Sequence, residues 1–224
     1  MEIKTVDPVA SLSRKPQFVD NVFVLPHPRA LPHEPFLWNY REIFGNDRPV
    51  CIEYCSGNGE WVIDKALNLP QWNWIAVEKK NKRVKKIAAK RKRHGLENVV
   101  IVAGEAAFFT KNFLPEASVA AIYINFPDPW PKRRHAKNRL LSSTFIEHLN
   151  HIAVLGAALL IVTDHKGYGA QVTQEVAQVA AWKESSVTAE FKRDYGSSYF
   201  DRLWRSKGLS IQFLAYQKRW GHRC

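Results

Sequence analysis

The chain is poor in cysteine. It carries three, Cys51, Cys55 and Cys224, among 224 residues. That is too few for a disulfide framework and fits a reducing, cytoplasmic setting. Cys51 and Cys55 with the nearby histidines match no zinc-ligand spacing, so no metal is expected. Long apolar runs are also missing. The longest, Ile152 to Val162, falls short of the roughly 20 residues that cross a bilayer. The first residues, MEIKTVDPVASL, hold no apolar core of signal-peptide type and carry an early acid. No membrane association by a spanning segment is expected. Acidic charge is scarce beside basic charge: 21 Asp and Glu against 33 Lys and Arg, a net +12. A domain this basic meets a polyanion, whether RNA, DNA or an acidic membrane surface. Internal repeats and low-complexity blocks are absent.

Hydrophobic residues make up 46% of the chain, enough for one large core. Six of the 12 prolines precede residue 36, so residues 1–35 read as an extended, proline-rich arm. From residue 49 short apolar strands alternate with helical patterns. Strands are expected at 50–54, 74–77, 99–102, 120–126 and 157–162, with 187–191 and 209–216 as a final antiparallel pair. Helices are expected between them, including a strongly basic one from Lys82 to His94. The pattern predicts an α/β fold whose mostly parallel, seven-stranded sheet has helices on both faces. The domain proper is drawn at 36–217, with a basic tail at 218–224. Ligands on such sheets bind beyond the carboxyl ends of the strands.

The first parallel strand runs into Glu53-Tyr54-Cys55-Ser56-Gly57-Asn58-Gly59. Glycines at a strand-to-helix bend let a ligand approach the backbone and meet helix N–H groups. The next strand ends in Glu78, where an acid can accept both hydroxyls of a ribose. This stretch resembles the first motif of class I methyltransferases, which bind S-adenosylmethionine and share a Rossmann-like fold. Glu53, Gly57 and Gly59 match its E-x-G-x-G-x-G form, and Cys55 stands where the first glycine is usual. The resemblance implies that Glu78 holds the ribose and that Glu105, after the third strand, lies near the adenine.

The fourth strand runs into Asn125-Phe126-Pro127-Asp128-Pro129-Trp130-Pro131-Lys132-Arg133-Arg134-His135-Ala136-Lys137-Asn138-Arg139. Three prolines in five residues stiffen this loop and restrict Asp128 between two of them. An aromatic and five cations follow. A held carboxylate can meet a base edge while cations meet phosphates. The string resembles the motif of the tRNA (guanine-N7)-methyltransferase family, F-P-D-P-W-x-K-x-R-H-x-K-R-R. Phe126, Pro127, Asp128, Pro129, Trp130, Lys132, Arg134, His135, Lys137 and Arg139 match; Asn138 replaces an arginine. Two further family features appear as Thr163-Asp164 and, in conservative form, as Ser198-Tyr199-Phe200-Asp201. The resemblance spans about residues 36–217.

It implies transfer of a methyl group from S-adenosylmethionine to N7 of a variable-loop guanosine in tRNA. N7 has a free lone pair and no proton to remove, so no general base is required and positioning dominates. Guanine offers N1–H and N2–H donors on one edge, and a carboxylate accepts both. Asp128, Asp164 and Asp201 are therefore the candidate guanine readers, Asp128 foremost as catalytic, with Ser198 as helper. Asp164 alternatively caps the following helix. Asn125 is suited either to the cofactor's amino-acid end or to the base. Lys132 is a cation for phosphate, and Arg134 and His135 grip phosphate or orient Asp128. A second reading stays open: an RNA-binding protein on a methyltransferase scaffold with impaired catalysis, suggested by Cys55, Asn138, Ser198 and Asp201. A third is a methyltransferase for rRNA or protein. Monomer and homodimer are both compatible with the sequence.

Residues 79–93 hold ten lysines or arginines and no acid. Such a segment repels itself, and Val84, Ile87 and Ala88 leave it one apolar stripe for packing. The rest is available to phosphates, as are Lys218, Arg219 and Arg223 around Trp220.

Overall fold

Three runs of sequence dictate the centre of the molecule. VCIEY, NWIAVE and VVIVA are largely apolar on both faces, as strands must be when helices cover a sheet from both sides, and their exceptions are Glu53, Asn73 and Glu78. In a computed structural model, which describes residues 16–26, 37–186, 188–196 and 198–220, they form β3 (Val50–Tyr54), β4 (Asn73–Glu78) and β5 (Val99–Ala103), every residue buried. With β6 (Val119–Asn125) and β7 (Ala153–Thr163) they make a parallel array. Two short strands, β1 (Gln17–Val19) and β2 (Val22–Val24), extend one edge. β8 (Trp182–Glu184) and β9 (Gln212–Lys218) extend the other. The order is β1-β2-β5-β4-β3-β6-β7-β9-β8. β9 runs antiparallel to both β7 and β8.

Eight α-helices cover the sheet among the described residues. They are α1 (Tyr40–Phe44), α2 (Glu60–Asn68), α3 (Asn81–Arg93), α4 (Ala106–Phe113), α5 (Ser143–Ile152), α6 (Lys166–Ala177), α7 (Thr188–Asp194) and α8 (Tyr199–Ser206). One core layer packs Phe109, Phe113, Phe145, Leu149, Tyr168 and Val172 against the sheet. The other packs Trp61, Ile63, Val84, Ile87, Phe191 and Tyr195. Gly59 starts α2 in the left-handed region at φ +76°; a Cβ there would sit 2.7 Å from Ile87 Cγ1, so α2 and α3 approach only because it is glycine.

The expected α/β architecture holds, with nine strands in place of seven. The two additions come from the proline-rich arm. Residues 17–24 form a hairpin whose β2 pairs in parallel with β5, and Phe23 is buried between Trp38 and Phe113 at centroid distances of 5.0 and 5.2 Å. Burying such a ring contributes about 1.5–3 kcal/mol, so this part of the arm is sheet. The rest, residues 1–15 and 27–36, lies outside the described residues. Residues 188–191, expected as a strand, open α7, and the partner of β9 is Trp182–Glu184. Phe191 and Tyr195 stand four apart and pack edge-to-face at 5.7 Å, a helical spacing that outweighs the β-branched start of the segment.

Candidate active site

The strand order reverses between β3 and β6, and a crevice opens there at the carboxyl ends, as the topology requires. Five consecutive strand ends contribute to one cavity of about 860 Å³. Cys55 follows β3. Glu78, Lys79 and Lys80 come from the end of β4. Gly104 and Glu105 follow β5, Phe126 to Trp130 follow β6, and Asp164 follows β7.

Beneath the glycine turn Glu53 and Asn125 meet across neighbouring strands. Asn125 Nδ2 donates to Glu53 Oε1 at 2.7 Å, and Glu53 Oε2 and Asn125 Oδ1 are buried with no partner. Burial is the main reason the Glu53 carboxyl is pushed up to about 7, and Glu78 adds to it through charge repulsion. Two orphaned acceptors side by side suit a cationic donor. They border a second, small cavity with Ser56, Gly57, Asn58 and Ser198. Glu78 is held by its neighbours: Oε2 accepts from Gly57 N at 3.0 Å and Oε1 from Lys80 N at 2.8 Å, with Arg83 Nη1 at 3.6 Å. Glu105 caps α4, accepting from Phe108 N at 2.8 Å, and stays exposed on the cavity wall.

Three non-glycine residues of the wall adopt left-handed backbone: Cys55 at φ +61°, Phe126 at +48° and Trp130 at +41°. Each costs on the order of 1–3 kcal/mol, and such strain gathers at functional sites. Cys55 thus takes the conformation that a glycine would take freely. Burial pushes its thiol up to about 12, with Glu78 and Glu53 acting in the same direction, so it stays protonated and is no nucleophile.

In the proline loop Asp128 is exposed, and its Oδ1 accepts from Trp130 N at 3.2 Å. His135 sits edge-on to Trp130 at 5.6 Å. Asp164 is half-buried on the same cavity wall, and its carboxylate has no hydrogen-bond partner among the described residues. It does not cap α6; His165 does, through Nδ1 to Tyr168 N at 3.1 Å. One cavity therefore carries Glu78, Glu105, Asp128 and Asp164 together.

Known proteins resemble this chain in sequence and in fold. Residues 47–213 match the profile of a family described as "Putative methyltransferase". A tRNA (guanine-N(7)-)-methyltransferase of Chlamydia trachomatis is 39% identical over 209 residues, 93% of each chain. One from Syntrophotalea carbinolica is 32% identical, covering 83% of this chain and 81% of that one. This chain belongs to the tRNA (guanine-N7)-methyltransferase family. Among solved structures, the 16S rRNA methyltransferase KamB superposes with a TM-score of 0.59 at 16% identity, over 80% of this chain and 92% of that one. That likeness shows the class I methyltransferase fold.

Other residues singled out by the family motifs lie elsewhere. Ser198 caps α8 by accepting from Asp201 N at 3.1 Å, and Asp201 is buried with Arg205 Nε 2.9 Å from its Oδ1. Ser198 borders the small cavity; Asp201 borders neither. Lys132 and Arg134 are exposed at the short 3-10 turn that begins at Arg133, outside the lining of the large cavity. His135 is half-buried and also lies outside that lining. Arg134 Nε donates to His135 Nε2 at 3.2 Å. The wall also includes Phe200, read in the sequence only as part of a family motif, and Trp204, which the sequence reading did not single out. They stack four residues apart on α8, and Arg83 lies 5.2 Å over the Phe200 ring. Their i, i+4 spacing is the signal that identifies them.

The basic helix divides into two sets. Lys90 Nζ reaches Asn58 O at 2.9 Å and Glu60 at 3.6 Å, and Arg91 Nε reaches Val99 O at 2.7 Å. These two, with Arg83, brace the fold. Lys79, Lys80, Lys82, Lys86 and Arg93 are exposed. Lys79 and Lys80 stand at the cavity mouth, and α3 carries the others outward over 13 residues, about 20 Å. The first turn of α3 holds no acid, so cations crowd the positive end of its dipole. Lys218, assigned to the tail by its charge, ends β9 and donates to Asn150 O and Ala153 O at the end of α5. Trp220 is 79% exposed, and Arg223 lies outside the described residues. No helix of the described residues is long and apolar enough to cross a membrane, and no cluster of His, Cys, Asp and Glu among them could hold a metal.

Proposed function

We propose that this chain transfers a methyl group from S-adenosylmethionine to N7 of a variable-loop guanosine in tRNA, in the cytoplasm. The observation that carries the reading is the single cavity at the strand ends that joins Glu78 and Glu105 to Asp128 and Asp164 and opens beside exposed lysines. The donor set fits the cofactor. Glu53 and Asn125 present orphaned buried acceptors suited to an amino-acid ammonium, Glu78 suits a ribose, and Glu105 suits an adenine edge. Gly57 and Gly59 keep the turn beside them compact. When bound, S-adenosylmethionine supplies an electrophilic methyl group on a sulfonium.

The remaining work falls to the chain's own side chains. Guanine N7 needs no base, so the protein's task is to hold N7 in line. Asp128 and Asp164 are acceptors for the N1–H and N2–H edge. Their negative charge also favours the positive charge that grows on the purine as N7 is alkylated. Lys79, Lys80 and the exposed cations of α3 suit the RNA backbone, as do Lys132, Arg134 and His135 at the 3-10 turn after the loop. Ser198 and Asp201 support the reading indirectly, by setting the start of α8, which carries Phe200 and Trp204 to the cavity.

Incubation with radiolabelled S-adenosylmethionine and unmodified tRNA, followed by digestion to nucleosides, tests this. Label is expected in 7-methylguanosine at a variable-loop position. RNA binding without label, from protein with a cooperative melt, would favour the catalytically impaired RNA-binding reading.

A further inference from the structure

By sequence residue 139 is one more cation for phosphate, yet its guanidinium is spoken for. Arg139 Nε donates to Pro129 O at 2.7 Å and Nη2 to Trp130 O at 3.3 Å. Nη1 donates to Gln171 Oε1, and the guanidinium lies 5.3 Å over the ring of buried Tyr168. We propose that Arg139 is a positioning residue for methyl transfer, a latch that ties the loop carrying Asp128 to α6 and so sets that carboxylate at the cavity wall. The proposal rests on the function argued above.

The loop needs such a latch. Pro127, Pro129 and Pro131 have no N–H to give, and the Trp130 N–H is taken by Asp128 Oδ1. The strained turns at Phe126 and Trp130 persist only if the surroundings over-determine them. Arg139 binds the Pro129 and Trp130 carbonyls, one on each side of the strained Trp130 backbone. Its own anchor is a rail on α6. Gln171 takes Arg139. Tyr168 Oη accepts from Leu141 N at 3.2 Å, and Glu175 Oε2 accepts from Ser143 N at 2.7 Å. Gln171 Nε2 leans on Glu175 Oε1 at 3.4 Å. Three side chains on one face of α6, at i, i+3 and i+7, thus hold alternate residues 139, 141 and 143. Lysine cannot replace the arginine, because a point charge lacks the planar fork that spans two carbonyls.

The test compares Arg139→Lys, Arg139→Ala and Gln171→Ala with wild type by three readouts. These are the single-turnover methyl-transfer rate at saturating tRNA, tRNA affinity across a salt series, and hydrogen exchange of residues 126–131 without RNA or cofactor. Displacing a reactive geometry by about 1 Å costs on the order of 100-fold. Arg139→Lys is expected to lose roughly that rate, with tRNA affinity within about twofold and an unchanged salt slope, while exchange of the loop rises. Gln171→Ala, outside the lining of the large cavity, is expected to move rate and exchange the same way by less. The double variant should be no slower than Arg139→Lys alone. Wild-type rate and exchange in Arg139→Lys would overturn the latch. So would reduced affinity in Arg139→Ala with a salt slope lower by about one phosphate and an unmoved loop, which would make Arg139 a phosphate ligand. If wild type transfers no methyl group to tRNA, the functional reading fails, and the exchange comparison still decides whether the latch exists.

Discussion

Asn125 Nδ2 donates to Glu53 Oε1 across the β3–β6 boundary at 2.7 Å, and Glu53 Oε2 and Asn125 Oδ1 stay buried and unpartnered. The pair straddles the reversal point of the strand order. Burial raises the Glu53 carboxyl from its ordinary 4.5 to about 7. A raised acid favours the fold in its neutral form. The contribution is complete below the unfolded value and is lost as pH climbs through about 7. The shift corresponds to about 3 kcal/mol. Melting temperature is therefore expected to fall between pH 5 and pH 8, and Glu53→Gln is expected to flatten that slope. An equally steep slope in the variant would locate the titration elsewhere.

Asp128→Ala should reduce methyl transfer by at least about 100-fold, the scale expected when one preorganised electrostatic contact is removed. Cofactor affinity by equilibrium dialysis should stay near wild type, because Glu53, Glu78 and Glu105 are untouched. Undiminished transfer would take Asp128 out of the site.

Cys55 occupies a left-handed position at φ +61°. Cys55→Gly removes a backbone penalty of about 1 kcal/mol, partly offset by the freer unfolded chain. A slightly higher melting temperature is expected, and Cys55→Ala, which keeps the Cβ, should show no gain. A lower midpoint for the glycine variant would mean that packing of the thiol outweighs the strain.

Charge reversal of Lys82, Lys86 and Arg93 should weaken tRNA binding and reduce the salt slope by about 0.7–0.9 for each phosphate that is no longer neutralised. Lys90→Ala should instead lower stability, since it removes the bonds to Asn58 and Glu60, and should leave the slope in place. Equal slopes in both variants would leave α3 without a role in RNA binding.

Much of the centre of the fold was readable in the sequence because local rules sufficed there. The strand VVIVA is apolar throughout and VCIEY is apolar but for Glu53, and the glycines at 57 and 59 and the acid at 78 mark strand ends. The proline-rich string after β6 carried the family resemblance by itself. Edges were harder. The Gln17–Val24 hairpin is short and sits in proline-rich sequence, and only its pairing with β5 and the burial of Phe23 make it sheet. Residues 188–191 look β-forming alone, and packing of Phe191 on Tyr195 and Phe213 makes them helical.

Which charges serve the fold and which face outward is a different kind of question. Composition determined that this chain carries an excess of 12 positive charges, and patterning determined a parallel sheet with its ligand end beyond the strands. Only the tertiary structure decided that Arg139 binds loop carbonyls, that Lys90 and Lys218 cap backbone oxygens, and that Lys82 and Lys86 are exposed. The reason is physical: a lysine or arginine has the same charge and reach wherever it stands. What it serves depends on which carbonyls and carboxylates the fold brings within about 3 Å, over separations the sequence does not display.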